Sequence, residues 1–219
     1  SWDRRTRNTV LFGQGYTVNV MQLTNAVSVI ANKGVKKPQR IIKSITDTAG
    51  HVEEQQSKGE ATRVIDESVA SQMLNAMVQD VQSGDILALA DSDTTEAGSD
   101  QAKMGASRAV SETFEPGSIG KVLAMSGMLQ LGLHKIDDKF TVPNTVTVEG
   151  QTYKDAVDHG NEHWTLAGIL EQSSNVGMVI AGDKMTNEQR YNFISKFGIG
   201  QATGLNLPRE SEGVLHPSD

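Results

Sequence analysis

Three closely spaced helical stretches dominate the second half of the chain. Apolar residues recur at helical intervals over 166–172, 176–185 and 189–197. Such spacing lines up one face of a helix. Only three residues separate each stretch from the next, and Gly198 follows the last one. The second half of the chain is therefore predicted to consist largely of short helices.

Short apolar or alternating segments predict strands elsewhere. Residues 86–90 (ILALA) are apolar and bounded by turn residues, which is typical of a buried strand. Residues 141–152 alternate valine with threonine, as an extended or hairpin segment does. A strand-like stretch begins at 41–45, and the polar residues 52–60 are expected to form a solvated loop.

Further helices are predicted in the first half and the centre of the chain. They cover 21–33 before Gly34, a segment that begins at Asp66, and 119–131 before Gly132. Glycine readily follows the last turn of a helix. A mixture of helices and strands without an internal repeat indicates an α+β fold.

Composition excludes several functional classes. The 219 residues include 20 Lys or Arg and 27 Asp or Glu, so the formal net charge is −7 and nucleic-acid binding is disfavoured. The chain has no cysteine, which excludes disulfides, thiolate catalysis and cysteine-ligated metals. No apolar run approaches the roughly 18 residues of a membrane span, and residues 1–20 lack a signal-peptide core. Any membrane anchor is therefore expected to lie outside this chain.

The first candidate for chemistry is the sequence S-I-G-K at 118–121, at the start of a predicted helix. Residues three apart share a helix face, so the Ser118 hydroxyl and the Lys121 amine are expected to be neighbours. A serine hydroxyl is a weak nucleophile until a neighbour takes its proton, and a lysine can do so when its pKa is lowered. Taken alone, the tetrapeptide is more often a helix cap beside a solvated lysine.

The second candidate is the sequence S-S-N at 173–175, between two predicted helices. Taken alone, it is a loop or a helix cap. Serine acyl-transfer enzymes that bind penicillin, however, combine an S-x-x-K motif with a later serine and asparagine. The chain has both motifs in that order, with Ser173 lying 52 residues after Lys121.

The segments around these motifs resemble the transpeptidase domain of class B penicillin-binding proteins. Those that carry the resemblance are 12–16, 21–34, 83–90, 108–118 and 197–210. The resemblance implies the fold shared by penicillin-binding proteins and serine β-lactamases, an α+β fold with a helical subdomain and an antiparallel sheet. It also implies a peptidoglycan D,D-transpeptidase that acts through a serine acyl-enzyme on D-Ala–D-Ala stem peptides.

The resemblance assigns a role to each candidate residue. Ser118 corresponds to the acylated nucleophile, and its backbone N–H to half of the oxyanion hole. Lys121 corresponds to the general base, and Ser173 to the hydroxyl that relays a proton to the leaving group. Asn175 corresponds to the amide that orients both the substrate backbone and Lys121, so Ser173 and Asn175 are also the expected substrate-binding residues.

The chain departs from the family pattern in two ways. Residues 1–81 resemble the later part of the family domain and 82–219 the earlier part, so a single domain of 1–219 has its segments in rotated order. The family's K-T-G strand is also absent, since residue 81 is followed directly by Q-S-G at 82–84. The sheet is therefore expected to be incomplete, and a second chain or a missing segment is the expected partner that completes it.

The resemblance also implies partners and a location. The expected partners are peptidoglycan stem peptides, β-lactam antibiotics as covalent inhibitors, and other proteins of cell-wall synthesis. No cofactor, metal or nucleic acid is expected. The family acts in the cell envelope, at the outer face of the cytoplasmic membrane.

Other interpretations of these residues remain to be weighed. A serine β-lactamase needs a deacylating base, and Glu171 lies just before the S-S-N sequence. A β-lactam sensor or an inactive fragment of the same fold fits the loss of K-T-G. A metal site at His159 and His163, which are four residues apart, is disfavoured because the pattern is not H-E-x-x-H.

Overall fold

The computed structural model describes residues 2–39, 44–46, 49, 51–55, 60–76 and 107–218. The helices are α1 (Thr6–Thr9), α2 (Val20–Ala31), α3 (Glu67–Ala76), α4 (Arg108–Ser111), α5 (Gly120–Gln130), α6 (Leu166–Glu171), α7 (Asn175–Gly182) and α8 (Asn187–Lys196). Short 3-10 turns cover Val10–Phe12 and Gly117–Ile119. The predicted helices are confirmed, although the helix predicted over 119–131 begins at Gly120, directly after the 3-10 turn Gly117–Ile119. The predicted strand at 86–90 lies outside the described residues.

Within the residues that the structure describes, eight short strands form four antiparallel pairs, which confirms the α+β class. The strands are β1 (Val35–Lys36), β2 (Ser44–Thr46), β3 (Val52–Gln55), β4 (Thr62–Arg63), β5 (Lys139–Val142), β6 (Thr145–Val148), β7 (Gln151–Lys154) and β8 (Glu162–Thr165). The pairs are β1 with β4, β2 with β3, β5 with β8, and β6 with β7. The β6–β7 pair is the hairpin expected within 141–152.

One sequence expectation is wrong. Residues 52–55 form strand β3, whereas 52–60 were expected to be a solvated loop. The strand pairs with β2. Backbone hydrogen bonds between neighbouring strands thus outweigh the low strand propensity of a run rich in Glu and Gln.

Helix α5 is the centre of the hydrophobic core. Residues 120–129 are all buried, so this helix is covered on every side. It contacts α3, α7, α8 and the 3-10 turn Val10–Phe12. The helix that begins beside Ser118 is therefore held by elements from both halves of the chain.

The N-terminal segment is joined to the C-terminal segment by hydrogen bonds. Trp2 Nε1 donates to the His216 carbonyl at 2.9 Å. Thr17 pairs with Val214 and Val18 pairs with Phe114 as antiparallel bridges. These contacts bring residues of the segments 1–81 and 82–219 into one hydrophobic core. Among the described residues, no helix is long and apolar enough to cross a membrane.

Candidate active site

Ser118 lies on an exposed turn that is held in place by glycines. The Gly117 N–H donates to the Gly13 carbonyl at 2.9 Å. A Cβ atom at Gly13 would lie 1.8 Å from the Gly117 oxygen, and one at Gly120 would lie 2.6 Å from the Gly13 Cα atom. Only glycine at positions 13 and 120 permits the backbones of Gly13, Gly117 and Gly120 to approach this closely, and their contact fixes the Ser118 turn at the start of α5.

Lys121 lies on the first turn of α5, and only 1% of the residue is exposed. Its amine is 3.1 Å from Ser118 Oγ and 3.0 Å from Ser173 Oγ, and it also donates to the Ser173 carbonyl. Burial lowers the pKa of this amine to about 8, although the Asp155 charge acts in the opposite direction. The amine is therefore neutral far more often at neutral pH than an exposed lysine is, and in that form it can accept the proton of Ser118.

Ser173 lies between α6 and α7, with its side chain at the mouth of the site. Its hydroxyl is 3.0 Å from Ser118 Oγ. Its φ angle is 52°, in the left-handed region that few residues other than glycine adopt. The Ser173 N–H donates to the Leu170 carbonyl at 3.0 Å. The hydrogen bonds to Leu170 and Lys121 hold this strained backbone in place.

Asn175 is the first residue of α7, and its side chain is directed elsewhere. Its amide nitrogen donates to the Lys154 carbonyl at 3.3 Å, and no hydrogen bond joins its side chain to Lys121 in the described part of the chain. The structure therefore brings Ser118, Lys121 and Ser173 together, while Asn175 faces the end of β7. The roles of all four residues stay predictions.

Asp155 is a site residue that the sequence analysis missed. It is buried, with 6% exposure. Oδ2 accepts from Ser174 Oγ at 2.6 Å and Oδ1 accepts from the Val176 N–H at 2.9 Å. Burial raises the pKa of this carboxyl, but hydrogen bonds from Ser174, Val176 and His159 outweigh it and the net pKa is lowered. The sequence contains no motif for this residue; its one local feature is its position shortly after the predicted hairpin.

The two histidines do not form a metal site. His159 Nε2 lies 2.9 Å from Asp155 Oδ2, whereas His163 Nδ1 lies 3.2 Å from Thr141 Oγ1 across the β5–β8 pair. Within the described ranges, no group of three or more His, Asp or Glu side chains could hold a metal ion. Glu171, the base required by the β-lactamase alternative, is exposed at the end of α6.

Comparison with known proteins identifies relatives across the chain. The family model "Penicillin binding protein transpeptidase domain" matches residues 1–84 and 75–219. Penicillin-binding protein PbpB of Mycobacterium tuberculosis is 37% identical over 150 residues, which are 67% of this chain and 22% of that protein.

Two solved structures are also similar. A crystal structure of a peptidoglycan synthetase from Bifidobacterium adolescentis is 76% identical, with a TM-score of 0.60 over 76% of this chain and 35% of that one. Penicillin binding protein 3 from Mycobacterium tuberculosis, complexed with ampicillin, is 39% identical, with a TM-score of 0.50 over 51% of this chain and 25% of that one. The chain thus spans about a quarter to a third of the length of these relatives.

Proposed function

Because the chain belongs to the penicillin-binding protein transpeptidase family, we propose that its site performs D,D-transpeptidation of peptidoglycan through a serine acyl-enzyme. The observation that carries this proposal is the triangle of Ser118 Oγ, Lys121 Nζ and Ser173 Oγ, whose sides are 3.0–3.1 Å. A hydroxyl in contact with a buried amine of lowered pKa is an activated nucleophile.

The proposed first step acylates Ser118. Neutral Lys121 accepts the hydroxyl proton while Ser118 Oγ bonds to the carbonyl carbon of the D-Ala–D-Ala amide. The carbon–nitrogen bond then breaks, and the leaving amine receives a proton through Ser173. D-Ala departs, and an ester joins the stem peptide to Ser118.

The proposed second step transfers the acyl group. An amine of a second stem peptide attacks the ester carbon and loses its proton to the Ser173–Lys121 pair. The Ser118 oxygen leaves and regains its proton, so the free enzyme is restored. Asn175 is proposed to orient the substrate backbone once substrate lies against the end of β7.

β-Lactams are the proposed covalent inhibitors, because their strained amide presents the same carbonyl to Ser118. Ampicillin bound to a penicillin binding protein 3 that is 39% identical supports this proposal. For the whole protein we propose a place in the cell envelope, at the outer face of the cytoplasmic membrane, among proteins of cell-wall synthesis.

A second chain or a missing segment is proposed to complete the sheet beside the site. Four apolar side chains support this, because they are 41–48% exposed near the Ser118 turn and the adjoining bridges: Val20, Phe114, Ile119 and Val214. Exposed apolar side chains on neighbouring segments favour coverage by another element.

Residues 1–81 and 82–219 are proposed to assemble within one chain as a single domain in rotated order. The Thr17–Val214 bridge supports this assembly. In the double variant Thr17→Cys and Val214→Cys, the two new side chains are expected to form a disulfide within the monomer, since bridged residues lie within disulfide reach. A disulfide-linked dimer as the main product would contradict assembly within one chain.

Labelled penicillin tests the reaction. After incubation, mass spectrometry of the intact chain and its peptides is expected to find one stable adduct, on Ser118. Ser118→Ala is expected to abolish the adduct, whereas Ser71→Ala, at an exposed serine on α3, is expected to keep it. An adduct retained by Ser118→Ala would disprove the assignment, rapid turnover would favour a β-lactamase, and no wild-type adduct would favour an inactive fragment.

A further inference from the structure

Two buried charged residues hold the 173–176 segment, which comprises the turn after α6 and the start of α7. The Lys121 amine donates to the carbonyl oxygen and to the hydroxyl of Ser173. Asp155 contacts the residues that follow, at Ser174 Oγ and at the Val176 N–H. Ser174 Oγ also accepts from the Gly177 N–H at 2.7 Å, so the Asp155 contact is linked to the cap of α7.

His159 contacts the same oxygen of the Asp155 carboxylate as Ser174 does, Oδ2. Its Nε2 faces Asp155 Oδ2 at 2.9 Å, and its Nδ1 faces the Gly160 carbonyl at 2.8 Å. Both partners are acceptors, and an imidazole donates from both nitrogens only when it is protonated. The contact with Asp155 accordingly raises the pKa of His159. The ring also packs against Trp164, at 5.0 Å between centroids.

The charges around this pair are few. Asp155 is the one charged group that acts on the Lys121 amine among the described residues. Asp158 and Glu162 face His159, and Asp158 is paired with Lys154 at 2.8 Å. Asp155 therefore both holds the 173–176 segment by hydrogen bonds and favours the charged form of Lys121.

We propose that Asp155, fixed by His159, is a positioning residue for the reaction at Ser118: it orients the 173–176 segment at the start of α7 and stabilises the ammonium form of Lys121. This inference deepens the proposed function and rests on it. The carboxylate touches neither Ser118 nor the scissile bond, so it acts through Ser174 and through its field at Lys121. Its loss therefore changes both the rate of acylation and the pH at which Lys121 becomes a base.

Asp155→Asn tests the electrostatic part of the proposal, because asparagine keeps the shape and removes the charge. Loss of an attractive negative charge favours the neutral amine. The midpoint of the pH profile of penicillin acylation is expected to move down by about half a pH unit or more. Asp158→Asn is the matched control: Asp158 is exposed on the same loop and is expected to leave the midpoint in place.

Ser174→Ala tests the orienting part. It removes the 2.6 Å hydrogen bond but keeps the Asp155 charge. We expect acylation to slow by about tenfold or more with an unchanged midpoint, because misplacement of a reacting group lowers the rate without altering the base. A wild-type acylation rate in Ser174→Ala would disprove the proposal that Asp155 orients the 173–176 segment. Ser174→Ala also tests this orienting role if Asp155→Asn fails to fold.

A second readout separates this inference from the proposed function. In protein labelled with ¹³C-lysine, the Lys121 Cε signal, assigned with Lys121→Met, reports the titration directly and needs no acylation. Absence of any wild-type penicillin adduct would contradict the proposed function but not the inference about Asp155. An identical Lys121 titration in wild type and Asp155→Asn would overturn the inference alone, whether or not the adduct forms.

Discussion

The Lys121 amine lies 3.1 Å from the Ser118 hydroxyl while the lysine itself is 1% exposed. A buried ammonium loses its hydration, and this loss lowers the pKa of the amine. The structure therefore places an easily deprotonated amine directly beside the Ser118 hydroxyl.

Acylation of Ser118 by penicillin is expected to accelerate as the pH rises through about 8. Burial lowers the pKa of the Lys121 amine to about 8, so the neutral base becomes the main form above that pH. The measurement is the second-order acylation rate between pH 6 and 10, with circular dichroism at each pH to verify folding. A rate that is flat across this range would show that Lys121 is not the base.

Lys121→Met is expected to reduce acylation by about 100-fold or more, since the base is lost. Its stability at pH 7 is expected to equal or exceed that of the wild type. The folded-state pKa is lower than the unfolded value of 10.5, so burial of the ammonium costs up to about 3 kcal/mol below pH 8. This cost disappears as the pH rises toward the unfolded pKa.

The measurement for Lys121→Met is urea unfolding at pH 7, together with the acylation rate. Lys135→Met is the control, because Lys135 is an exposed lysine whose replacement is expected to change neither quantity. Strong destabilisation by Lys121→Met would mean that the hydrogen bonds of the amine outweigh its desolvation.

Gly13→Ala is expected to destabilise the chain by about 2 kcal/mol or more and to slow acylation. Its φ angle is 82°, and a Cβ would lie 1.8 Å from the Gly117 oxygen, so the Ser118 turn must move. Gly150→Ala isolates this contact: Gly150 has the same φ of 82° but no atom within 4 Å of its Cβ position. The control is expected to cost about 1 kcal/mol without slowing acylation. Thermal unfolding and the acylation rate measure both effects.

Asn19→Ala is expected to cost about 2–3 kcal/mol, which is more than an ordinary helix cap. Asn19 is fully buried and caps α2, and its amide also donates to the carbonyls of Val110 and Ser211. Thr186→Ala removes the exposed capping box of α8 and is expected to cost about 1 kcal/mol. Equal losses in urea unfolding would mean that the contacts of Asn19 with the second half of the chain contribute nothing.

Contacts within one helix turn could be predicted from the sequence. Spacing of apolar residues and of glycines located the helices, because side chains three to four residues apart share a helix face regardless of the rest of the chain. The same local geometry predicted that Ser118 and Lys121 are neighbours. The S-S-N sequence was recognised, but its distance from Ser118 was inferred only from the family resemblance.

Other features depend on residues far apart in the chain. Strand β3 owes its conformation to β2, and the Ser118 turn owes its position to Gly13, more than 100 residues earlier. Asp155 carries no local motif, and its proposed role depends on contacts made where the end of β7 meets the start of α7.

The sequence by itself determined the candidate reacting groups and the helix on which Ser118 and Lys121 share a face, because both follow from residue identity and a repeat of 3.6 residues per turn. Only the tertiary structure decided that Lys121 is buried, that the Ser173 hydroxyl lies beside both Ser118 and Lys121, and that Asp155 accepts hydrogen bonds from Ser174 and Val176. Burial and the field of a neighbouring charge depend on which distant segments pack together, and the pKa of an amine responds to both.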